Sequence, residues 1–408
     1  METNTGFRRT SPATRRLRYA SGMPGERGQW SVFPNAVQEL VLEAAFCPRE
    51  RFDAPWARLV EALGDVEPGF GTRTLLPLLE PRLAGMERRG LVATCRADYR
   101  RNWLNNQRLI ALAVARLEGL HAAGIPTVVL KGTALIARYY RDPGLRHMSD
   151  LDVLVPEERF HEAAKLLEAM GYRPLEHPPE LFDLRFGHAI AYRDRSGHDV
   201  DLHGHVLTVS CERGADAAFW EAAEPLDLAA GNSRTATSAL CPTDQLLHTL
   251  VHGMTWESPP AVRWVADALI VLERSAVDWR RLAALSRARG VALAVAAALG
   301  YLRERFDVEV PEGCLNDLRA AEDDPATRRL LGFLTGSMRG HPLRAFRHHR
   351  HMVERAVAAE PEVGSARMLY RFVLHWCRTD RPGGVPPAIL AKALRGAGHR
   401  LRPAASDG

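Results

Sequence analysis

Two aspartates, Asp150 and Asp152, stand two positions apart in the apolar run HMSDLDVLVP, and a second pair, Asp199 and Asp201, recurs in HDVDLHGH. Side chains alternate across a strand, so Asp150 and Asp152 share one face, with Ser149, Leu151, Val153 and Val155 on the other. The same alternation groups Asp199, Asp201 and His203 against Val200 and Leu202. If the two strands pair, up to four carboxylates converge, and like charges at that range repel unless a cation neutralises them. Carboxylate clusters select hard cations, and Mg²⁺ usually binds through a few carboxylates together with substrate phosphates. Two such ions about 3.5–4 Å apart activate an attacking hydroxyl and stabilise a leaving pyrophosphate.

Upstream lies VVLKGTAL, which carries Lys131, one of only three lysines in a chain whose basic residues are otherwise arginine. A short strand ending in LKG, with a helix starting at Thr133, aims backbone N–H groups at a helix N-terminus, a place that receives phosphate. Gly132 permits close approach. Thr133 either caps the helix or contacts a phosphate oxygen. Lys131 offers a positive charge to a triphosphate.

The elements that must position these residues follow from periodicity. Apolar spacing predicts helices in AVQELVLEAAF, in RTLLPLLEPRLAGMERRGL and over Asn102 to His121. Thr127 to Leu130 reads as a strand, Thr133 to Tyr140 as a helix stopped by the turn RDPG, and HMSDLDVLVP as a strand. PEERFHEAAKLLEAMGY is a helix, and RFGHAIAYRDRSGHDVDLHGHV a hairpin. Beyond Leu207 the pattern is mostly helical, in PTDQLLHTLVHGM, VRWVADALIVLER, WRRLAALSRARG and ALAVAAALGYLRERF, then near Arg328 to Leu334 and Ala366 to Cys377. The expected organisation is a disordered basic leader (1–35), an N-terminal helical region (36–123), a small α/β core (124–206), a helical domain packed on it (207–310) and a C-terminal helical extension with a disordered end (311–408). The fold class is α+β, a small mixed sheet flanked by helical regions.

The composition bounds the rest. With 408 residues, 46% apolar and 25% charged, the chain has the make-up of a globular protein of two or three domains. The absence of an apolar run of 18 residues predicts no membrane span, and the polar N-terminus lacks the apolar segment of a secretory signal. A net charge of +5 allows an anionic ligand without indicating nucleic acid. Arginine clusters at Arg8 to Arg18 and His341 to His351 read as solvated surfaces. The six scattered cysteines fit reduced thiols and a cytoplasmic location.

The pattern LKGTAL…YYRDPGLRHMSDLDVLV…LLEAMGY…VDLHGH resembles the uncharacterised nucleotidyltransferase family of the DNA-polymerase-beta-like superfamily. The resemblance is sharpest over Ile125 to His205 and looser from about residue 37 to 310. It implies that Gly132 and Thr133 sit at the nucleotide-phosphate turn, that Asp150 and Asp152 are the metal-binding pair, and that Asp201 is the third carboxylate, which binds the catalytic metal and activates the acceptor hydroxyl. Lys131 and Arg146 match positions that recur in the family; Arg146 reads equally as a phosphate clamp and as a surface arginine pairing the carboxylates. LKGT stands where the superfamily has a Gly-Ser pair.

The expectation is therefore a Mg²⁺-dependent enzyme, with Mn²⁺ as the alternative ion. It moves a nucleoside monophosphate from an NTP to a hydroxyl or amine of an unknown small-molecule, peptide or other acceptor. Two other readings compete: a catalytically degenerate nucleotide-binding regulator, and a metal-dependent phosphohydrolase. Asp199 reads as a solvated residue near the turn, and His188 and His203 as either site or sheet histidines. His248 and His252, four residues apart in HTLVH, lack the glutamate of a zinc protease and read as histidines near substrate or in the core. Trp264 and Asp267 are expected to organise the helical domain. Neither the preferred nucleotide nor the oligomeric state is legible.

Overall fold

A computed structural model of the chain describes residues 32–255, 262–334 and 343–385. Most of the basic leader, including Arg8 to Arg18, and the tail beyond residue 385 lie outside the described residues. Asn35 opens helix α1 (Ala36–Phe46): its side chain accepts from the Gln38 amide, and the Gln38 side chain accepts from the Asn35 amide. Helix α2 (Asp53–Leu63) follows. The helix expected from Arg73 to Leu91 is instead a 3₁₀ segment over Leu76–Arg82, because Pro77 and Pro81 each remove a backbone donor. Helix α3 (Gly90–Ala122) is longer than expected, starting at Gly90 and not at Asn102.

The core then runs through β1 (Val128–Val129), α4 (Lys131–Leu135) with a π-helical turn over Ile136–Tyr140, β2 (Asp150–Leu154), α5 (Phe160–Ala169), β3 (Arg173–Pro174), β4 (Ala189–Arg193) and β5 (Asp199–His203). Two further strands, β6 (Glu224–Ala230) and β7 (Ser233–Ala239), form a hairpin beyond the expected core boundary at residue 206. They complete a seven-stranded sheet of order β3-β4-β5-β2-β1-β7-β6. The pairs β2–β5 and β1–β7 are parallel and the others antiparallel, so the sheet is mixed and the fold class is α+β.

One face of the sheet buries Leu151, Val153, Val200 and Leu202 against Val114 and Leu117 of α3 and Phe160 and Leu167 of α5. Each such side chain stabilises the fold by roughly 1.5–3 kcal/mol on burial. A one-residue slip of β2 or β5 would exchange these side chains for the aspartates, so apolar packing fixes which face carries the carboxylates.

Four helices follow: α6 (Pro242–Met254), α7 (Trp264–Arg274), α8 (Trp279–Ala288) and α9 (Ala292–Phe306). Leu246, Leu250, Val265, Val295 and Leu299 share one apolar core with Leu42, Leu59 and Leu79 of the N-terminal segment. Four more complete the described chain: α10 (Glu312–Arg319), α11 (Pro325–Leu334), α12 (Leu343–Ala359) and α13 (Ser365–Cys377). Met352, Met368 and Phe372 of the last two close a separate small cluster on Phe186 and Cys211. In the basic stretch His341 to His351, His351 meets the Val209 carbonyl at 3.2 Å and Arg350 pairs with Glu354 at 2.6 Å. All six cysteines are free, and no helix among the described residues is long and apolar enough to cross a membrane.

Candidate active site

Parallel pairing of β2 with β5 sets Asp150 opposite Asp199 and Asp152 opposite Asp201. Asp152, Asp201 and His203 each offer one ligand atom within 4.8 Å of the others. Asp152 is only 1% exposed, and its Oδ1 meets Lys131 Nζ at 2.6 Å and His203 Nε2 at 3.0 Å. The other ring nitrogen of His203 lies 3.3 Å from the His205 carbonyl. Burial alone would push the Asp152 carboxyl up, but Lys131 and His203 hold it well below the usual carboxylate range. Burial likewise opposes the charge on Lys131, and the carboxylates of Asp152 and Asp201 outweigh it, so the ammonium stays protonated. Asp201 is raised by burial and by the negative charge on Asp152.

Asp150 stands at the mouth of the strand, where it accepts from the Ser149 hydroxyl at 3.2 Å. Burial and the neighbouring Asp152 push its carboxyl up to about 7. Asp199 is drawn off by Arg193, which donates to both of its oxygens at 2.5 and 2.7 Å. That pair lies half in water and does little beyond neutralising Asp199.

The turn between β1 and α4 differs in detail from the sequence-based expectation. Lys131 itself takes the left-handed backbone conformation, with φ +41°, which is uncommon outside glycine. Gly132 is required by crowding: a Cβ there would lie 2.7 Å from Met148 Cγ and 3.1 Å from Arg146 Nη1. Thr133 neither caps the helix nor faces outward; it is 1% exposed, and its hydroxyl lies 3.6 Å from the Met148 sulfur. Arg146 is buried and does not pair with the strand carboxylates. It grips Asp267 of α7 through Nε at 2.8 Å and Nη2 at 3.0 Å, and Tyr140 donates to the same carboxylate at 2.8 Å. Asp267 thus ties the helical region to the loop before β2, a link across 121 residues that sequence order does not reveal.

The loop leading into Asp150 is fastened by α3. Asn105 donates to the Met148 carbonyl at 2.8 Å, and Asn106 to the Pro143 and Arg146 carbonyls at 2.6 Å each. Tyr99 donates to Asp142 at 3.0 Å. These residues were missed by sequence reasoning, although the NN pair inside an amphipathic helix is the signal that marks them. Asparagine is a poor helix former and is kept where its amide has work to do.

His188, His203, His248 and His252 gather on the carboxylate side. The rings of His188 and His203 lie 5.3 Å apart, and those of His248 and His252 lie 6.0 Å apart. Burial, together with nearby positive charge that includes Lys131, lowers His188 and His248 well below the usual imidazole range and takes His252 down to about 4. Burial thus favours the neutral form of these three rings. Nδ1 of His248 is buried without a hydrogen-bond partner. Arg263, immediately before α7, has a buried Nε without a hydrogen-bond partner and was likewise missed.

A family model for an uncharacterised nucleotidyltransferase matches residues 73–307, more than half of the chain. The protein belongs to this uncharacterised nucleotidyltransferase family. The match runs from the end of the N-terminal helices through α9 and takes in every site residue named above. No curated protein matches the chain. Among solved structures, an antigenic nucleotidyltransferase-like protein from Paracoccidioides brasiliensis is similar at 12% identity and a TM-score of 0.32, over 51% of this chain and 92% of that one.

Proposed function

We propose that this nucleotidyltransferase family member is a metal-dependent enzyme of the DNA-polymerase-beta-like kind, moving a nucleoside monophosphate from an NTP to a hydroxyl or amine of its acceptor. The observation that carries this reading is the β2–β5 register, which brings Asp152, Asp201 and His203 within 4.8 Å of one another with Asp150 beside them. Two carboxylates and an imidazole, flanked by a third carboxyl, suit a divalent cation; oxygen ligands favour Mg²⁺ and the imidazole admits Mn²⁺. Such a cation, held by Asp152, Asp201 and His203, would supply Lewis-acid stabilisation of charge on the reacting phosphate.

The chain's own residues do the rest. Asp201, whose proton affinity burial has raised, accepts the proton from the attacking acceptor oxygen. Lys131 adds positive charge next to the carboxylates, where the phosphates of the donor would lie. Gly132 lets Met148 and Arg146 close against the turn that carries Lys131. Asp152 orients through His203 and Lys131. The asparagines of α3 and the Arg146–Asp267 pair hold the β2 loop in place, and positioning of this kind accounts for much of the rate in phosphoryl-group chemistry.

One observation favours the second reading, a catalytically degenerate regulator. The Lys131 ammonium lies on the same Asp152 oxygen that would ligate a cation. Calorimetric titration of the four NTPs with Mg²⁺ or Mn²⁺ separates the two, run with wild type and with Asp150→Asn/Asp152→Asn. Metal-dependent binding of one NTP that the double variant loses supports the transferase, and release of pyrophosphate with a nucleotidylated product establishes it. Binding without metal dependence moves the protein to the regulatory reading.

A further inference from the structure

Arg263 immediately precedes α7, and its backbone carbonyl accepts from the Asp267 amide at 2.9 Å. Its Nε is buried and has no hydrogen-bond partner, and among the described residues its guanidinium makes no ion pair. The carboxylate one helical turn on is already spent, since Arg146 and Tyr140 take both oxygens of Asp267. Two guanidiniums therefore share a single counter-ion. Burial, and then repulsion from Arg146, bring Arg263 below the usual arginine range, with Asp150 among the groups that draw it the other way. The same positive charge bears on His147, in the loop before β2, and on His252 of α6. Arg263 is thus within electrostatic reach of Asp150 at the head of β2 and of His252 on α6, beside the Arg146–Asp267 pair.

A half-buried guanidinium whose nearest anion is already engaged is costly to hold in a free protein. A planar five-donor fork beside a second arginine is also the arrangement that recognises phosphate oxygens in pairs. We propose that Arg263 is the polyphosphate-binding residue of this site, taking the terminal phosphates of the donor as the counter-ion that the fold does not provide. This rests on the nucleotidyltransferase reading for the nucleotide part only; the chemistry recognised is the polyphosphate, whether carried by an NTP or free. Arg146 has the opposite task, being neutralised by Asp267 and fixed as part of the frame.

The consequence is a trade between stability and binding. Without ligand, Arg263→Met removes a desolvated charge and its repulsion with Arg146, so its melting temperature rises above that of wild type. With ligand, the same variant loses a charge-assisted contact. The full-length chain is titrated calorimetrically with inorganic tripolyphosphate, with each of the four NTPs and with the matching NMPs, all with Mg²⁺. The protein is wild type, Arg263→Met or Arg263→Lys. Arg263→Met is expected to bind tripolyphosphate and the preferred NTP about ten- to a hundredfold more weakly, with NMP binding little changed. Arg263→Lys, which keeps charge without the fork, falls between.

If Arg263→Met binds tripolyphosphate as wild type does, the proposal fails. It fails equally if the variant melts lower or does not fold, because Arg263 is then structural. Wild type that binds tripolyphosphate through Arg263 but binds no NTP keeps the assignment and removes the nucleotide reading. Wild type that binds an NTP with Arg263→Met unchanged does the reverse. Binding of neither overturns both.

Discussion

Lys131 Nζ and Asp152 Oδ1 are 2.6 Å apart, and the lysine reaches that oxygen from a left-handed backbone with φ +41°. A strained non-glycine residue persists only where its surroundings over-determine it, and such residues gather at functional sites. Here the ammonium neutralises a carboxylate that is 1% exposed, while sharing its oxygen with His203.

Two opposite effects follow from removing that ammonium. Lys131→Met leaves Asp152 buried with His203 as its remaining partner, so the cation-free protein is expected to lose about 3 kcal/mol or more, read by urea denaturation. The same change frees an anionic oxygen, so Mn²⁺ binding, followed by paramagnetic resonance of the free ion, is expected to tighten by about tenfold. Weaker Mn²⁺ binding in the variant would mean that Lys131 helps to build the cation site and does not compete for it.

Asp150 gives the site a pH dependence with a definite sign. Its carboxyl is raised from 3.8 to about 7 by burial and by Asp152. A raised carboxyl favours the folded state in its protonated form. That contribution is complete below about pH 4 and is lost as the pH climbs through about 7. The cation-free protein should therefore melt progressively lower between pH 4 and 7, and Asp150→Asn should flatten this limb. Divalent cations compete with the proton, so their affinity rises over the same interval. An Asp150→Asn melting profile parallel to wild type would remove Asp150 from the cluster.

Much of this site was legible in the chain itself. Alternation in SDLDVLV and HDVDLHGH put the aspartates on one face, and apolar residues opposite them forced that choice. The β4–β5 hairpin around Asp194 to Gly197 followed from its turn residues, and Asp199, read as a solvated residue near the turn, pairs with Arg193. What escaped was long-range. The β6–β7 hairpin carries its alternation in Leu226 and Leu228, then Thr235 and Thr237, around Gly231; the intervening alanines, serines and charges hide it from any apolar pattern. Thr133 resembled a cap because polar residues at helix starts usually are, but the helix begins two residues earlier and turns that hydroxyl toward Met148. Arg146 read equally as a phosphate clamp and as a surface arginine pairing the carboxylates, and only the fold reveals its pairing with Asp267.

The Arg146–Asp267 pair is a strong structural joint. Both side chains are below 10% exposed, at 9% and 6%, and the carboxylate also accepts from Tyr140. Asp267→Asn would leave the buried Arg146 guanidinium without an anion, with an expected loss of about 3–5 kcal/mol in urea denaturation. Tyr140→Phe removes a single hydrogen bond and should cost about 1–3 kcal/mol. Equal costs for the two changes would show that hydrogen-bond count and not charge governs this joint.

A second joint, far from the carboxylates, governs the acid limb of stability. Glu212 follows β5 and pairs with Arg355 of α12, which donates to both of its oxygens, and it also accepts from the Ser210 hydroxyl at 3.0 Å. Burial opposes its charge, but Arg355 outweighs this and holds the carboxyl down at about 2. A depressed carboxyl stabilises the fold above its ordinary range, near 4.5, and that contribution is lost as the pH falls toward 2. Glu212→Gln should therefore destabilise the protein at pH 7 and leave it close to wild type near pH 2. Because Met352, Met368 and Phe372 dock on Phe186 and Cys211 beside this pair, the loss should appear as faster proteolysis of the C-terminal helices. Cleavage rates that do not distinguish the variant from wild type at pH 7 would mean that apolar packing alone secures them.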